Sequence, residues 1–476
     1  MKTRALRTVR HTYPALGVRN YRLYFIGHIV SVSGTWMQNI ALTWLVLQLS
    51  DSGFVLGLTA ALQYLPLLFL GPLAGVFVDR TDKRRLLFLT QSTAATLALA
   101  LAALTLTGVI QIWMVIVFAL ALGFVNALDV PTRQTFAYEL VGPDPLPNAI
   151  TLNSVIMNAG RVVGPALAGL AIATVGLGVC FLLNALSYLT LIGALLLMHR
   201  DRLFTAPPVP REKGQLREGL RYVWATPAVR APLVVMALIG TFTYEFQVML
   251  PLLAHFTFAS DAGGFSFLMA AMGIGSVVSG LFVATRLRPS ARRLGWAGLL
   301  LGALVVLAGS MPTLTTTAFV LLAVGGASIA FLTLANSTLQ LTAAPEMRGR
   351  VVALYAVAFL GSIPIGGPVM GFIGGTFGAR TALLVAGGIA LVTIALSWRA
   401  LAATSTELRS TKSSADPAPA AAARRIRAVA TPELGPEPEG DFEPALEPAL
   451  EPALEPALEP ALESVGPRDD QLRPAA

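Results

Sequence analysis

Long apolar stretches alternate with short polar breaks through residues 1–400. Twelve of them, near 23–49, 54–78, 86–106, 112–130, 149–174, 179–198, 231–256, 264–286, 294–310, 317–340, 351–375 and 380–399, are long enough to cross a bilayer as helices, which takes about 20 residues. The breaks at Gly108 and Gly176 are so short that neighbouring spans have to run antiparallel. After residue 400 the pattern stops, and the unit EPAL repeats five times from Glu443 to Leu462. A proline at every fourth position removes backbone donors and blocks a continuous helix.

This pattern predicts an all-α polytopic membrane protein with 12 transmembrane helices in two six-helix bundles and a disordered tail. The expected divisions are a cytoplasmic segment 1–22, a first bundle 23–198, a linker 199–230, a second bundle 231–399 and a Pro/Ala/Glu-rich tail 400–476. In the linker, "PPVPREKGQLREGLRYVWATP" reads as a proline-rich stretch and then a short amphipathic helix. Leu216, Leu220 and Val223 share its apolar face, which is expected to lie on anionic headgroups.

Composition agrees. The chain is 55% hydrophobic and 13% charged, against roughly 25% charge in soluble domains. Residues 1–400 hold 27 Lys and Arg against 12 Asp and Glu, whereas the tail holds 7 against 14. The cations cluster in one set of loops: Lys2 to Arg22, Arg80 to Arg85, Arg133, Arg200 to Arg230, Arg286 to Arg293, Arg348 and Arg350. The opposite set holds Asp51, Asp261 and one cation, Arg380. That bias places both termini in the cytoplasm and explains the basic balance without nucleic acid. The N-terminal apolar segment has no cleavage site after a short core, so it reads as a retained span in the plasma (inner) membrane. Cys180 stands alone, which excludes an intramolecular disulfide. No phosphate-binding Gly-x-x-x-x-Gly-Lys-Ser/Thr, no His/Cys cluster and no nucleophile–base pair is present, so neither ATP, a metal, a cofactor nor catalysis is expected.

The halves echo each other. "RVVGPALAGL" (161–170) and "IPIGGPVMGF" (363–372) both centre on Gly-Pro, in the fifth and eleventh spans. Similar halves of six spans mark transporters that alternate access around a site between two bundles.

Between the second and third spans, six of the seven residues from Asp79 to Arg85 are charged. Gly71 and Gly75 precede them, and their spacing permits a close helix approach. Asp79 at a helix end is suited to accept from the N-terminus of a facing helix. The cations fit a latch whose ion pairs break on opening. Twelve spans with this loop resemble the major facilitator superfamily, whose signature is matched at Gly75, Asp79, Arg80 and Arg84, with Lys83 keeping the charge of the second arginine. Asp82 replaces a glycine there, and Asp tolerates the left-handed conformation better than most residues. The fifth span, with Gly160, Gly164, Pro165 and Gly169, resembles the motif of the drug:proton antiporter branch, with Ala168 in place of a glycine. "SGTWMQNIALTWLVLQLSDSGFVLGL", "NALDVPTRQTFAYELV" and "PEMRGRVVALY" resemble the subgroup of enterobactin exporters and macrolide efflux pumps.

The resemblance implies a monomeric secondary transporter that exports amphipathic small molecules, drugs or siderophore-like metabolites. Its energy source would be the proton gradient, and its partners lipids, protons and cargo. Movement of a lysophospholipid, or a receptor or scaffold acting through the tail, are the alternatives.

Ionisable groups inside a bilayer are costly and so are functional candidates. Glu245 falls mid-span in "GTFTYEFQVMLPLL" and is the candidate carrier of the coupled proton, against a structural carboxyl bonded to Tyr244 or to a neighbouring helix. Arg161 is also mid-span; it would contact an anionic cargo, pair with a carboxylate, or brace carbonyls freed near Pro165. Asp129 falls near the end of the fourth span, which Pro131 is expected to terminate. Its depth suits a gating pair with Arg80 or Arg84, with Arg133 as another partner. Trp36, Gln38, Asn39, Asn126, Asn158, Tyr244, Gln247 and Asn336 are the polar and aromatic candidates for the cargo cavity.

Overall fold

In the computed structural model, residues 13–204, 215–286 and 289–415 are described, and nearly all of them are helical. The basic residues of 1–12, the proline-rich start of the linker, the Leu216 side chain and the EPAL repeats lie outside the described set. The first half comprises α1 (Arg19–Ser50), α2 (Gly53–Asp79), α3 (Lys83–Leu106), α4 (Ile112–Val141), α5 (Leu146–Val175) and α6 (Leu177–Leu197). The linker contains α7 (Gln215–Ala225). The second half runs through α8 (Pro227–Thr243), α9 (Phe246–Leu252), α10 (Ala262–Arg286), α11 (Ala291–Ser310), α12 (Leu314–Thr342), α13 (Arg348–Leu360), α14 (Ile363–Phe377) and α15 (Ala379–Ala415).

Among the described residues, 11 helical segments are long and apolar enough to cross a membrane. The one long helix of the described residues outside that set is α1. At 32 residues it is about 48 Å long, but His28, Ser31, Ser33, Gln38 and Asn39 interrupt its apolar run. Part of that polarity is satisfied inside the protein, whereas both ring nitrogens of His28 and Asn39 Oδ1 are buried without a hydrogen-bond partner among the described residues. Asn184 Nδ2 donates to Gln38 Oε1 at 2.8 Å, Ser33 and Thr35 donate back to carbonyls of their own helix, and α1 packs between α5 and α6. At its start, Asn20 exchanges two hydrogen bonds with the His199 backbone just beyond α6.

Four helix limits differ from the sequence pattern. Pro131 lies inside α4, which continues to Val141; a proline is tolerated within a buried span because neighbouring groups re-satisfy the backbone. The seventh span is interrupted at Tyr244–Glu245, between α8 and α9, and ends in a π turn at Leu253–Thr257. The eleventh is interrupted at Gly361–Ser362, between α13 and α14. The last helix also runs past residue 399, to Ala415.

The halves meet along two seams, α2 against α14 and α5 against α10. Both are lined by small residues. A methyl group on Gly57 would run into the Gly367 carbonyl, and one on Gly371 into that of Gly53. At the other seam, a Cβ on Gly273 would lie 2.9 Å from the Arg161 carbonyl. One end of the seams is tied by His255 Nε2 and Asp51 Oδ1 at 3.2 Å, beside the stacked rings of Trp44 and Phe265.

The linker helix α7 does not merely rest on headgroups. Its Val223 is buried with Val229, Leu339, Val351 and Leu354, and Glu218 pairs with Arg350 on α13 at 2.7 Å. Leu220 is exposed.

Candidate functional site

A cavity of about 220 Å³ lies between the halves. The break in the seventh span delivers Tyr244 and Glu245 to it, α1 supplies Trp36, α2 supplies Tyr64 and α5 supplies Arg161. Met269, Met272 and Phe359 add an apolar wall.

Glu245 is 4% exposed. Its Oε1 has no hydrogen-bond partner, and no cation among the described residues lies within ion-pair distance of it. It sits at the helix break because its backbone starts α9, where its carbonyl accepts from Val248 and Met249. Its carboxylate faces the first turn of α14, where a Cβ on Gly366 would come within 2.7 Å of Oε1. The Tyr244 hydroxyl donates to the Ser328 carbonyl at 2.7 Å. A Tyr244–Glu245 hydrogen bond is therefore not what holds the carboxyl.

Arg161 is brought to the cavity by close packing of α5 on α1. Side chains at Gly160 and Gly164 would collide with Val32 and Trp36, and Gly169 meets Ser266 of α10. Pro165 is accommodated inside an unbroken α5. The guanidinium carbon lies 5.6 Å from the centroid of the Trp36 ring, within the range of a cation–π contact.

Of the other cavity candidates, Gln247 lines the cavity and also a smaller pocket, which it shares with Asn39. Asn39 itself does not line the cavity, and four others do not either. Gln38 is consumed by Asn184, Asn158 donates to Ser154 of its own helix, Asn336 accepts from Gln340 one turn on, and Asn126 is half-buried on α4. Met249, close by in the seventh span, is fully buried in the core. The sequence reading missed Ser276, Ser328 and Ile363 in the lining; only the helix rotations reveal them. A larger groove of about 650 Å³ between α1, α5 and α6 is lined almost wholly by apolar residues and lacks converging polar groups.

The charge knot forms a turn from α2, which carries Gly75 and ends at Asp79, into α3. Asp82 is not left-handed there. It has extended backbone at φ −61°, ψ 108° and caps α3 by accepting from the Arg85 N–H. Lys83 pairs with Glu139 of α4 at 3.2 Å. Arg84 Nε donates to the Leu195 carbonyl at 2.7 Å, and Nη2 to that of Leu196 at 3.3 Å, satisfying carbonyls at the end of α6 that have no helical partner. Arg80 is exposed.

Asp129 pairs with neither Arg80 nor Arg84. Its Oδ2 accepts from Arg133 one turn on, and its Oδ1 accepts from Thr90 at 2.7 Å and Gln91 at 2.8 Å. This joins α3 to α4 within one half. The continuation of α4 past Pro131 is what puts Arg133 within reach.

The family model for "transmembrane secretion effector" matches residues 11–431. The chain is 26% identical over 264 residues to the staphyloferrin A transporter of Staphylococcus aureus, across 55% of this chain and 66% of that protein, just under two thirds of its length. It is 28% identical to the multidrug efflux pump Tap of Mycolicibacterium fortuitum, across 73% and 88%. It is 27% identical to the enterobactin exporter EntS of Shigella boydii, across 76% and 86%. Among solved structures, a bacterial homologue of the human lysosomal transporter Spinster, inward-facing and unoccupied, is similar with a TM-score of 0.60 at 16% identity, covering 82% of this chain and 97% of that one. The nucleoside transporter NupG is similar with a TM-score of 0.63 at 14% identity, covering 80% and 98%.

Proposed function

Because the chain belongs to the transmembrane secretion effector family of the major facilitator superfamily, and so is a multi-pass membrane transporter, we propose that it exports amphipathic small molecules by alternating access, with Glu245 carrying the coupled proton. On this reading α1 is the first span and brings the number to twelve, two six-helix bundles rock about the α2–α14 and α5–α10 seams, and the charge knot faces the cytoplasm of a plasma-membrane monomer. The observation that carries it is Glu245: a buried carboxyl at a helix break, on the wall of a cavity between the halves, with one oxygen unpartnered. Discontinuous helices are where transporters of this kind place cargo and ion sites.

The lining of aromatic rings and two methionines suits apolar cargo that repacks the wall around itself. The latch reading of Asp79, Arg80, Lys83 and Arg84 is part of the proposal, as is the role of Asp129 in holding α3 and α4 together while the latch works. The multidrug efflux pump and the enterobactin exporter among the relatives support an outward direction.

The test is flux of a fluorescent amphipath by full-length protein in proteoliposomes. Flux should respond to an imposed pH difference and lose that response when an ionophore collapses the gradient. Accumulation that persists after every electrochemical difference is removed would refute the mechanism.

A further inference from the structure

Arg161 is a charged group of the cavity wall that the proton reading leaves unused. Of its three possible roles, the structure supports one. Among the described residues, no carboxylate lies within ion-pair distance of its guanidinium, so it is not half of a salt bridge. It donates to no backbone carbonyl of the described residues, so it does not brace the helix at Pro165, which is continuous there in any case. A charge held inside a membrane protein without a partner is expensive. Here the groups beside it are the Trp36 face at 5.6 Å and the cavity.

We propose that the cargo itself supplies the missing charge: the protein recognises an amphipathic anion, an aromatic carboxylate or similar acid, whose negative group pairs with Arg161 while its apolar body lies along Trp36 and the methionine wall. This deepens, and rests on, the transporter reading of the same cavity. Three features of the site agree. The guanidinium fork matches a planar carboxylate. The Tyr64 hydroxyl, also on the cavity wall, makes no hydrogen bond to the described residues and offers a second donor. The volume of about 220 Å³ lies below the roughly 300–1,000 Å³ of drug-sized sites, so in this conformation the cavity encloses a group of two-ring aromatic size. Glu245 on the same wall opposes an anion whenever it is charged. Tyr64, Tyr244 and Arg161 are the other titratable groups of the lining.

The experiment measures equilibrium binding of three matched probes to the full-length protein in lipid nanodiscs: 2-naphthoxyacetate, its neutral amide and 2-naphthoxyethylammonium. The carboxylate should bind about tenfold to a hundredfold tighter than the amide, as one charge-assisted contact allows, and the ammonium should be weakest. Arg161→Gln should erase the carboxylate's advantage while the amide still binds, and Arg161→Lys should restore part of it. A purely structural role would weaken all three probes together in Arg161→Gln and overturn the proposal. So would wild-type protein that binds the amide or ammonium as tightly as the carboxylate. Glu245→Gln, which removes the opposing charge, should bind the carboxylate at least as tightly as wild type; weaker binding would contradict the proposal. The two readings fail separately: loss of the anion preference leaves the pH response of flux standing, and a flux indifferent to pH leaves the anion preference standing.

Discussion

Glu245 and Gly366 meet where two interrupted helices cross, so closely that a Cβ on Gly366 would come within 2.7 Å of Glu245 Oε1 and would also collide with the Thr241 carbonyl. The glycine is what lets the start of α14 approach the carboxyl.

Gly366→Ala should therefore destabilise the protein, since overpacking costs about 1–3 kcal/mol, and should depress transport. Thermal unfolding of the detergent-solubilised protein checks the first effect. An unchanged transition would mean that this approach is looser than described.

The Asp129–Arg133 pair should behave as a buried unit. Its side chains are 10% and 14% exposed, and removing one partner of such a pair costs about 3–5 kcal/mol. Asp129→Asn and Arg133→Gln should each lower stability strongly, and the double variant should lose much less than the sum. Additive losses in a double-mutant cycle would show that the two side chains act independently.

Two arginines that are neighbours in sequence should differ. Arg84 caps the carbonyls of α6 from a largely buried position, whereas Arg85 pairs with Asp82 on the surface with 73% of its side chain exposed. Arg84→Ala should cost about 1.5–3 kcal/mol for a lost charged hydrogen bond, and Arg85→Ala about 0–1 kcal/mol. Equal effects in unfolding measurements would contradict this division of labour.

These contrasts show what the sequence could reveal. Hydropathy located the membrane-crossing stretches because burial in lipid demands long apolar runs, and a carboxyl within such a run made Glu245 conspicuous. Hydropathy did not reveal the breaks at Tyr244–Glu245 and Gly361–Ser362, because an interrupted span is as apolar as a continuous one. Pro131 appeared to be a helix end, since the rule that proline closes helices weakens where protein surrounds the backbone. Gln38 and Asn39 show the limit for the site. They are adjacent and chemically alike, yet a step of about 100° around the helix sends one to Asn184 and the other to a pocket. Such a choice depends on how neighbouring helices are rotated, which composition does not record.

Truncation after Ala415 separates the transporter from a scaffold that works through its tail. The shortened protein should retain flux of the fluorescent amphipath in proteoliposomes at the wild-type rate per molecule. Abolished flux with normal folding would favour the tail-dependent reading.

The most direct test of the central claim follows the proton itself. Proteoliposomes containing a trapped pH dye are given an amphipathic cargo gradient, and internal pH is recorded for wild type and Glu245→Gln. The account predicts a cargo-dependent pH change in wild type that is absent in the variant, although the variant still binds cargo. An equal pH change in Glu245→Gln, or none in a wild-type protein that is moving cargo, would contradict it.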